Sequence, residues 1–510
     1  MLRTEKDIEI HYAPDLPYAE ILKIITPFHC ILSRSETAIP KELIDKASKL
    51  KVIARAAVGI GNIDVDYATE KGILIINTPG KNTNSAAELT IGLLLSAMRK
   101  MIPAHIHMSE LKWNRHTFTG TELLGKTIGI VGLGNVGNRV ARYAKAFEME
   151  VLAYDPYIAD EVFERHNSKK CTWDELLSSA DIISLHVPKN SETTGMIGAK
   201  EFSRMKSGVV ILNAARGGII QEKSLLEELK SGKVAAAGID TWEEEPPQGN
   251  PFRDLPQVVM SPHVGASTTE AQIRIAKSIA SQTPRALRGE VVEFPVNMPS
   301  VKILGSGPVA SYVSLAEKLG VFSSQYIDFV PTHLDIEYRG KLAENDVTLL
   351  RLCFLRGLLQ SKKNFVSYVN ADQQAENVGL HIEEKNDPGF TDYESALKYT
   401  LTGEGKKFAL GGVVFSGPHP RITLINGFVC EFEAEGTIMV STNRDRLGMV
   451  GILGTCLGKN GVNIDQFQLA RNIRGGEALA LIRVDDDLPE SVVEEIRKKE
   501  GITSVSKIVL

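Results

Sequence analysis

Residues 126–156 read KTIGIVGLGNVGNRVARYAKAFEMEVLAYDP, and their reading decides the fold. An apolar run, TIGIV, meets G-L-G-N-V-G at Gly132, Gly134 and Gly137, and a helical pattern follows at once. Strand, glycine turn and helix in that order open a dinucleotide-binding βαβ unit. The first glycine permits the tight turn, the second lets backbone amides approach a pyrophosphate, and the third allows close helix packing. The helix N-terminus then faces the phosphates, and Asn135 and Val136 are counted with the glycines as cofactor contacts. A second strand, MEVLAYD, ends in Asp155, 21 residues after Gly134. A carboxylate there hydrogen-bonds the adenosine ribose and repels a 2′-phosphate, so NAD is expected rather than NADP. Glycines that only make a tight turn are the plainer alternative, and the acidic residue at that distance argues against it.

The same grammar runs outward in both directions. Downstream, ADIISLHVP, GVVILNAARGG, AAAGIDTW and VVMSPHVGA are further strands, each ending at polar or glycine-rich residues, where open α/β sheets put their ligands. Upstream, HCILSRS, KVIARAAVG and ILIINTP alternate with helical stretches, which implies a parallel sheet, and a long helical pattern covers residues 86–101. RGEVVEFPVNMP, with Pro295 and Pro299, reads as a return strand and linker back to the first domain. From about residue 309 come a helix, the strand THLDIEYRG, a helix through LLRLCFLRGLLQS, and β-rich sequence to Glu433. The last 75 or so residues follow the order βαββαβ. The expected fold class is therefore α/β: a Rossmann-like nucleotide domain (99–287) inserted in a flavodoxin-like substrate domain (1–98 and 288–308). An α+β domain (309–434) and a ferredoxin-like domain (435–510) complete it.

Bulk properties narrow the function. At 510 residues the chain exceeds one core, since domains run to about 100 to 200 residues. With 43% hydrophobic and 24% charged residues the composition is that of a soluble globular protein, and a net charge of -5 argues against bulk binding to nucleic acid or anionic membrane. The N-terminus, MLRTEKDIEIHY, carries charges where a signal peptide would need an apolar core, and the longest apolar run, around Leu89 to Met98, is far short of a membrane span, which makes a cytoplasmic protein the expectation. The five cysteines are odd in number, scattered and without C-x-x-C, so neither a disulfide framework nor a structural metal is indicated.

Three polar residues sit at successive strand ends: Arg216 in NAARGGII, Glu245 in DTWEEEPP and His263 in SPHVGAST. Arginine can hold a carboxylate bidentately, histidine can give or take a carbonyl proton, and a carboxylate against the imidazole keeps it oriented and protonated longer. A satisfied loop histidine would explain any one of them alone; three behind a dinucleotide loop point to reduction of a 2-oxo acid or the reverse.

On these motifs, in this order, residues 1–305 resemble the D-isomer-specific 2-hydroxyacid dehydrogenases. The resemblance implies that Arg216 binds the substrate carboxylate, Glu245 partners the histidine, and His263 takes the hydroxyl proton as the C2 hydride moves to NAD. It places Asp240 near the nicotinamide carboxamide, His186, Pro188, Ala214 and Gly265 along the cofactor, and the amides of Val58 and Gly59 against the substrate carboxylate.

Specificity must come from the first domain, where Arg34 in ILSRS and Arg55 in VIARAAVG stand at two strand ends. In family members that act on a phosphorylated hydroxy acid, arginines at these places bind the phosphate, helped by one from a neighbouring subunit that matches Arg115; solvated surface charge is the alternative. Residues 309–434 resemble the intervening domain of the family's long forms, and the last domain resembles an ACT domain, an amino-acid-sensing module. That implies an L-serine effector site at Asn443, Asp445 and Asn463 and a homo-oligomer, dimer or tetramer, although Leu447 and Asn443 depart from the module's usual proline and histidine or tyrosine. Two rivals are a short glyoxylate or hydroxypyruvate reductase, which would lack the last two domains, and an NAD-sensing interaction protein on the same scaffold.

Overall fold

The computed structural model of the chain describes all residues except 15, 291, 299–307, 361–365, 390–391 and 416–418. Val291 and Pro299 of the expected return strand and linker lie outside the described residues. The chain divides into two compact units, Met1–Asn77 with Ile279–Leu510, and Thr78–Ser278. The helix Thr83–Met98, expected in the first domain, belongs to the second unit, so the division falls at residue 77 rather than 98. Its buried face explains this, because Ala87, Ile91, Leu94 and Met98 share one core with Ile128, Ile130 and Val140 of the second unit.

In the first unit, β1 (Cys30–Ser33), β2 (Val52–Arg55) and β3 (Leu74–Ile76) form a parallel sheet in the order β1-β2-β3. Every residue of β2 is buried; Ile53 packs with Ile39 and Leu43 on one face, while Val52 and Ala54 pack with Ile279 and Val292 on the other. A strand covered on both faces is why its sequence is an apolar run rather than an alternation. The sheet is narrower than expected of a flavodoxin-like domain, because residues 1–29 add no strand among the described residues. Their N-terminal stretch is instead held by Arg288, whose Nη2 reaches Glu5 at 2.5 Å and Asp7 at 2.7 Å. Among the described residues the expected return strand is a single antiparallel bridge, Ile76 with Pro295, since proline has no N–H to extend a ladder.

The second unit is built on β4 (Thr127–Val131), β5 (Glu150–Tyr154), β6 (Lys169–Lys170), β7 (Ile182–Leu185), β8 (Val209–Asn213), β9 (Val234–Ile239) and β10 (Val258–Met260). All pair in parallel in the order β10-β9-β8-β7-β4-β5-β6. The chain direction of winding reverses beside β4, the switch point where such sheets bind nucleotides.

Residues after 308 begin with helices Pro308–Tyr326 and Thr348–Leu359, which touch through glycines: a Cβ on Gly320 would lie 2.1 Å from the Phe354 carbonyl oxygen, and one on Gly357 2.3 Å from that of Glu317. They pack on a six-stranded sheet, β11 (His333–Gly340), β12 (His381–Asp387), β13 (Ser395–Gly403), β14 (Lys406–Phe415), β15 (His419–Ile425) and β16 (Phe428–Glu433), in the order β12-β11-β13-β14-β15-β16. The final βαββαβ segment has β17 (Thr437–Arg444), β18 (Ile464–Arg471), β19 (Glu477–Val484) and β20 (Ile502–Val509) in the antiparallel order β18-β19-β17-β20, the ferredoxin-like arrangement. Among the described residues no helix is long and apolar enough to cross a membrane, and all five cysteines are free.

Candidate active site

The glycine loop after β4 divides its three glycines by purpose. Gly132 has φ 88°, and a Cβ on it would lie 2.8 Å from Val187 Cγ1 and 2.9 Å from the His186 carbonyl oxygen. A Cβ on Gly137 would lie 2.0 Å from the Gly132 carbonyl oxygen. Both are therefore demanded by the chain's own packing. Gly134 is different, because a Cβ there would meet nothing within 4 Å. It caps the helix Asn135–Ala146, so open space lies against that helix's unpaired N–H groups and the positive end of its dipole. This is a cradle that fits a pyrophosphate. Asp155, just past β5, accepts the Leu133 N–H at 3.0 Å on one oxygen and the Tyr157 N–H at 3.0 Å on the other, which fixes the carboxylate at the edge of the loop. His186, past β7, shares a 2.8 Å hydrogen bond with Ser184 Oγ, and burial pushes its pKa down to about 3, so the ring stays neutral. Thr193 Oγ1 donates to the Pro188 carbonyl at 2.6 Å and shapes the segment that follows.

The ends of β8, β9 and β10, which are neighbours in the sheet, bring the expected trio together. Asn213 makes the turn that carries Arg216: its Oδ1 accepts the Ala215 N–H at 3.1 Å and its Nδ2 donates to the Arg216 carbonyl at 2.9 Å. Gly217 follows because nothing else fits, a Cβ there falling 1.6 Å from the Trp242 carbonyl oxygen. Trp242 in turn donates its N–H to Glu245 Oε1 at 3.1 Å and its indole Nε1 to the Ser261 carbonyl at 3.2 Å. Glu245 Oε2 lies 2.7 Å from His263 Nδ1.

His263 sits in the left-handed region at φ 55°, where a non-glycine residue needs outside support. Asp240 supplies it. This carboxylate, fully buried, accepts Ser261 Oγ at 2.5 Å, the Val264 N–H at 2.9 Å and the Gly265 N–H at 2.9 Å, while its carbonyl accepts the His263 N–H at 2.8 Å. The sequence reading set Asp240 against the cofactor; in the structure three donors from its own chain hold the carboxylate to the His263 turn.

Electrostatics in this corner are coupled. The hydrogen bond that His263 donates to Glu245 raises the His263 pKa, against burial, which lowers it. Burial alone would raise Glu245, but the His263 and Trp242 donors hold its carboxyl below the usual range. Burial lowers the Arg216 pKa and the Glu245 charge opposes that. With Nδ1 donating to Glu245, Nε2 of the neutral ring is left as the proton acceptor, beside a guanidinium suited to a carboxylate.

The other expected residues fall into four groups. Arg34 is exposed just past β1, and Arg115 is exposed at the start of the 3₁₀ helix Arg115–Phe118. Val58 and Gly59 follow β2, with the Val58 carbonyl accepting Asn77 Nδ2 at 2.9 Å. Arg55, expected as a phosphate ligand, is instead fully buried and donates to the Arg34 and Thr37 carbonyls and to Asn62. In the last domain Asn443 is buried, Asp445 is paired with Arg471 Nη1 at 2.8 Å and accepts the Gly475 N–H at 2.9 Å, and Asn463 Nδ2 donates to Asp485 at 2.6 Å. Among the described residues these three share no hydrogen-bond partner, and Leu447 is completely exposed. The sequence reading missed Asn213, Trp242 and Ser261, which act through backbone and neutral donors that no charge pattern marks.

Residues 91–265 match the NAD binding domain of the D-isomer specific 2-hydroxyacid dehydrogenases, and residues 308–426 match the D-3-phosphoglycerate dehydrogenase intervening domain. A D-3-phosphoglycerate dehydrogenase from Methanocaldococcus jannaschii is 39% identical over 98% of this chain and 96% of its own length. One from Bacillus subtilis is 35% identical over 95% and 92%. Among solved structures, D-lactate dehydrogenase from Aquifex aeolicus, complexed with NAD and lactic acid, is similar with a TM-score of 0.51 and 28% identity, over 56% of this chain and 90% of that one.

Proposed function

Because the chain belongs to the D-3-phosphoglycerate dehydrogenases, within the D-isomer specific 2-hydroxyacid dehydrogenases, we propose that it oxidises D-3-phosphoglycerate to 3-phosphohydroxypyruvate with NAD, the first step toward L-serine. The observation that carries the chemistry is the 2.7 Å contact of His263 with Glu245, set beside Arg216 on adjacent strand ends.

Bound NAD supplies the acceptor for the C2 hydride, and the glycine loop, Asp155, His186 and Pro188 are the residues that would hold it. Arg216 pairs with the substrate carboxylate through its planar fork and so orients C2. The Val58 and Gly59 amides are proposed to help at the same carboxylate. His263 Nε2 takes the hydroxyl proton as charge builds on that oxygen, and Glu245 stabilises the imidazolium that results. Asp240 keeps the imidazole in place throughout. In the reverse direction the protonated ring returns the proton to the carbonyl oxygen.

Arg34 is the proposed phosphate ligand, and Arg115 from a second copy its helper, which requires at least a dimer. The four sequence domains are proposed as working modules: substrate recognition, cofactor and chemistry, an intervening domain, and an amino-acid-sensing domain that binds L-serine through Asn443, Asp445 and Asn463.

The test of the chemistry is His263→Asn. Turnover falls by about 10² to 10⁴, the usual worth of a positioned acid/base group, while NAD affinity measured by titration stays near wild type. Wild-type turnover in that variant would remove His263 from the reaction.

A further inference from the structure

We propose that Arg55 and Asn62 are positioning residues that fold the 34–37 loop so that Arg34 meets the substrate phosphate, and that Arg55 does not itself touch it. The proposal rests on the phosphoglycerate reading above in one respect, the need for a phosphate site at Arg34.

Arg55 ends β2 directly beside Ser33, which ends β1. Its side chain is the largest among those fully buried. A guanidinium in that position is costly unless its N–H groups are met. Here the two terminal nitrogens are met, by the loop that follows β1 and by Asn62: Nη1 donates to the Arg34 carbonyl, and Nη2 to the Thr37 carbonyl at 3.0 Å and to Asn62 Oδ1 at 2.8 Å, while Nε finds no acceptor among the described residues. Asn62 completes the arrangement, its Nδ2 donating to the Ser35 carbonyl at 2.6 Å and the Thr37 carbonyl at 3.2 Å. The Asn62 carbonyl then accepts the Ile39 N–H at 2.8 Å, which anchors the far end of the loop.

The carbonyls of Arg34, Ser35 and Thr37 are thus drawn inward onto two side chains, and the side chains of Arg34, Ser35 and Glu36 are left exposed. Two consequences follow. The direction of Arg34 is set by Arg55 and Asn62 rather than by its own contacts. The buried guanidinium, with no carboxylate in direct contact among the described residues, also leaves positive charge beneath the loop, which favours an anion at its surface. Burial lowers the Arg55 pKa, and the nearby Glu36 charge opposes that, in agreement with a cation held by dipoles.

The experiment measures kcat and KM for D-3-phosphoglycerate and D-glycerate in Asn62→Ala, Arg55→Lys, Arg34→Ala and the Arg34→Ala/Asn62→Ala double variant, with thermal unfolding recorded for each. If Asn62 acts through Arg34, Asn62→Ala raises KM for phosphoglycerate about tenfold or more, leaves kcat and the D-glycerate KM within about twofold, and adds nothing once Arg34 is gone. Arg55→Lys keeps the charge but loses the fork, so the clamp requires a loss comparable to that of Asn62→Ala, whereas a direct phosphate contact would keep much of the affinity. Should Arg55→Lys fail to fold, the Asn62 variants carry the test alone. An unchanged phosphoglycerate KM in folded Asn62→Ala, equal losses on both substrates, or multiplying losses in the double variant each overturn the proposal. Failure of the substrate reading would show in the wild type, as no preference for phosphoglycerate, and would take the proposal with it; failure of the clamp alone shows only in the variants.

Discussion

Replacing Gly217 with alanine puts one methyl group where the structure has none to spare. The new Cβ would lie 1.6 Å from the Trp242 carbonyl oxygen and 2.2 Å from its carbon, and real side chains come no nearer than about 3 Å. Both obstacles are backbone, so no rotamer relieves the clash. The turn bearing Arg216 and the segment from Trp242 to Glu245 must separate by more than about 1 Å. That movement reaches the chemistry directly, because the Trp242 N–H holds Glu245 and Glu245 holds His263. A misplacement of about 1 Å can cost about 10²-fold in rate, and overpacking costs about 1–3 kcal/mol, or roughly 2–12 °C in melting temperature for a unit of this size. Steady-state kinetics, differential scanning calorimetry and NAD titration read the three effects. The expected result is kcat/KM down about 10²-fold, a lower melting temperature and NAD affinity nearly unchanged, since the Gly134 cradle follows a different strand. Full activity with an unchanged melting temperature would refute the close approach of the two turns.

The remaining expectations concern pH and regulation. With His263 as the proposed base, oxidation needs its ring neutral, and Glu245 raises its pKa, so kcat/KM should climb as pH rises through that raised value; Glu245→Gln removes the bond while burial still depresses the ring, and the acid limb should move to lower pH with a lower plateau. A pH profile of both enzymes checks it, and an unmoved limb would contradict the coupling. L-serine titrated by calorimetry binds the intact protein and is lost in Asp445→Ala, where it would otherwise have to displace the Arg471 contact; typical coupling gives roughly 5 to 150-fold in affinity, reciprocal with substrate. No heat with the wild type sinks the regulation, and equal heat from both sinks the site.

What could be read in the sequence followed from local rules. The strand, glycine turn and helix at residues 127–146 need only short-range geometry, and His263 with Glu245 combine two chemistries that a strand end can present. Other features depended on long-range packing. The apolar face of Thr83–Met98 announces a helix, but periodicity cannot say which sheet it will cover, and it covers that of the second unit. An arginine at the end of β2 looks the same in sequence whether it reaches outward, as Arg34 does, or turns in under a loop, as Arg55 does. Asp240 invites a ligand by its charge, while its neighbours' N–H groups, invisible in composition, claim it first. Asp445, expected in an effector site, already has a cation in Arg471, 26 residues on.

Substrate choice is the most direct test of the central reading. Oxidation of D-3-phosphoglycerate, D-glycerate and D-lactate should be followed with NAD and with NADP at one pH above the His263 transition. The proposed charge-assisted phosphate contacts, about 1.5–3 kcal/mol each from Arg34 and from Arg115 of a second copy, should make kcat/KM for phosphoglycerate with NAD about 10² or more above that for D-glycerate. Equal rates on phosphorylated and unphosphorylated acids, or no oxidation of phosphoglycerate at all, would contradict it.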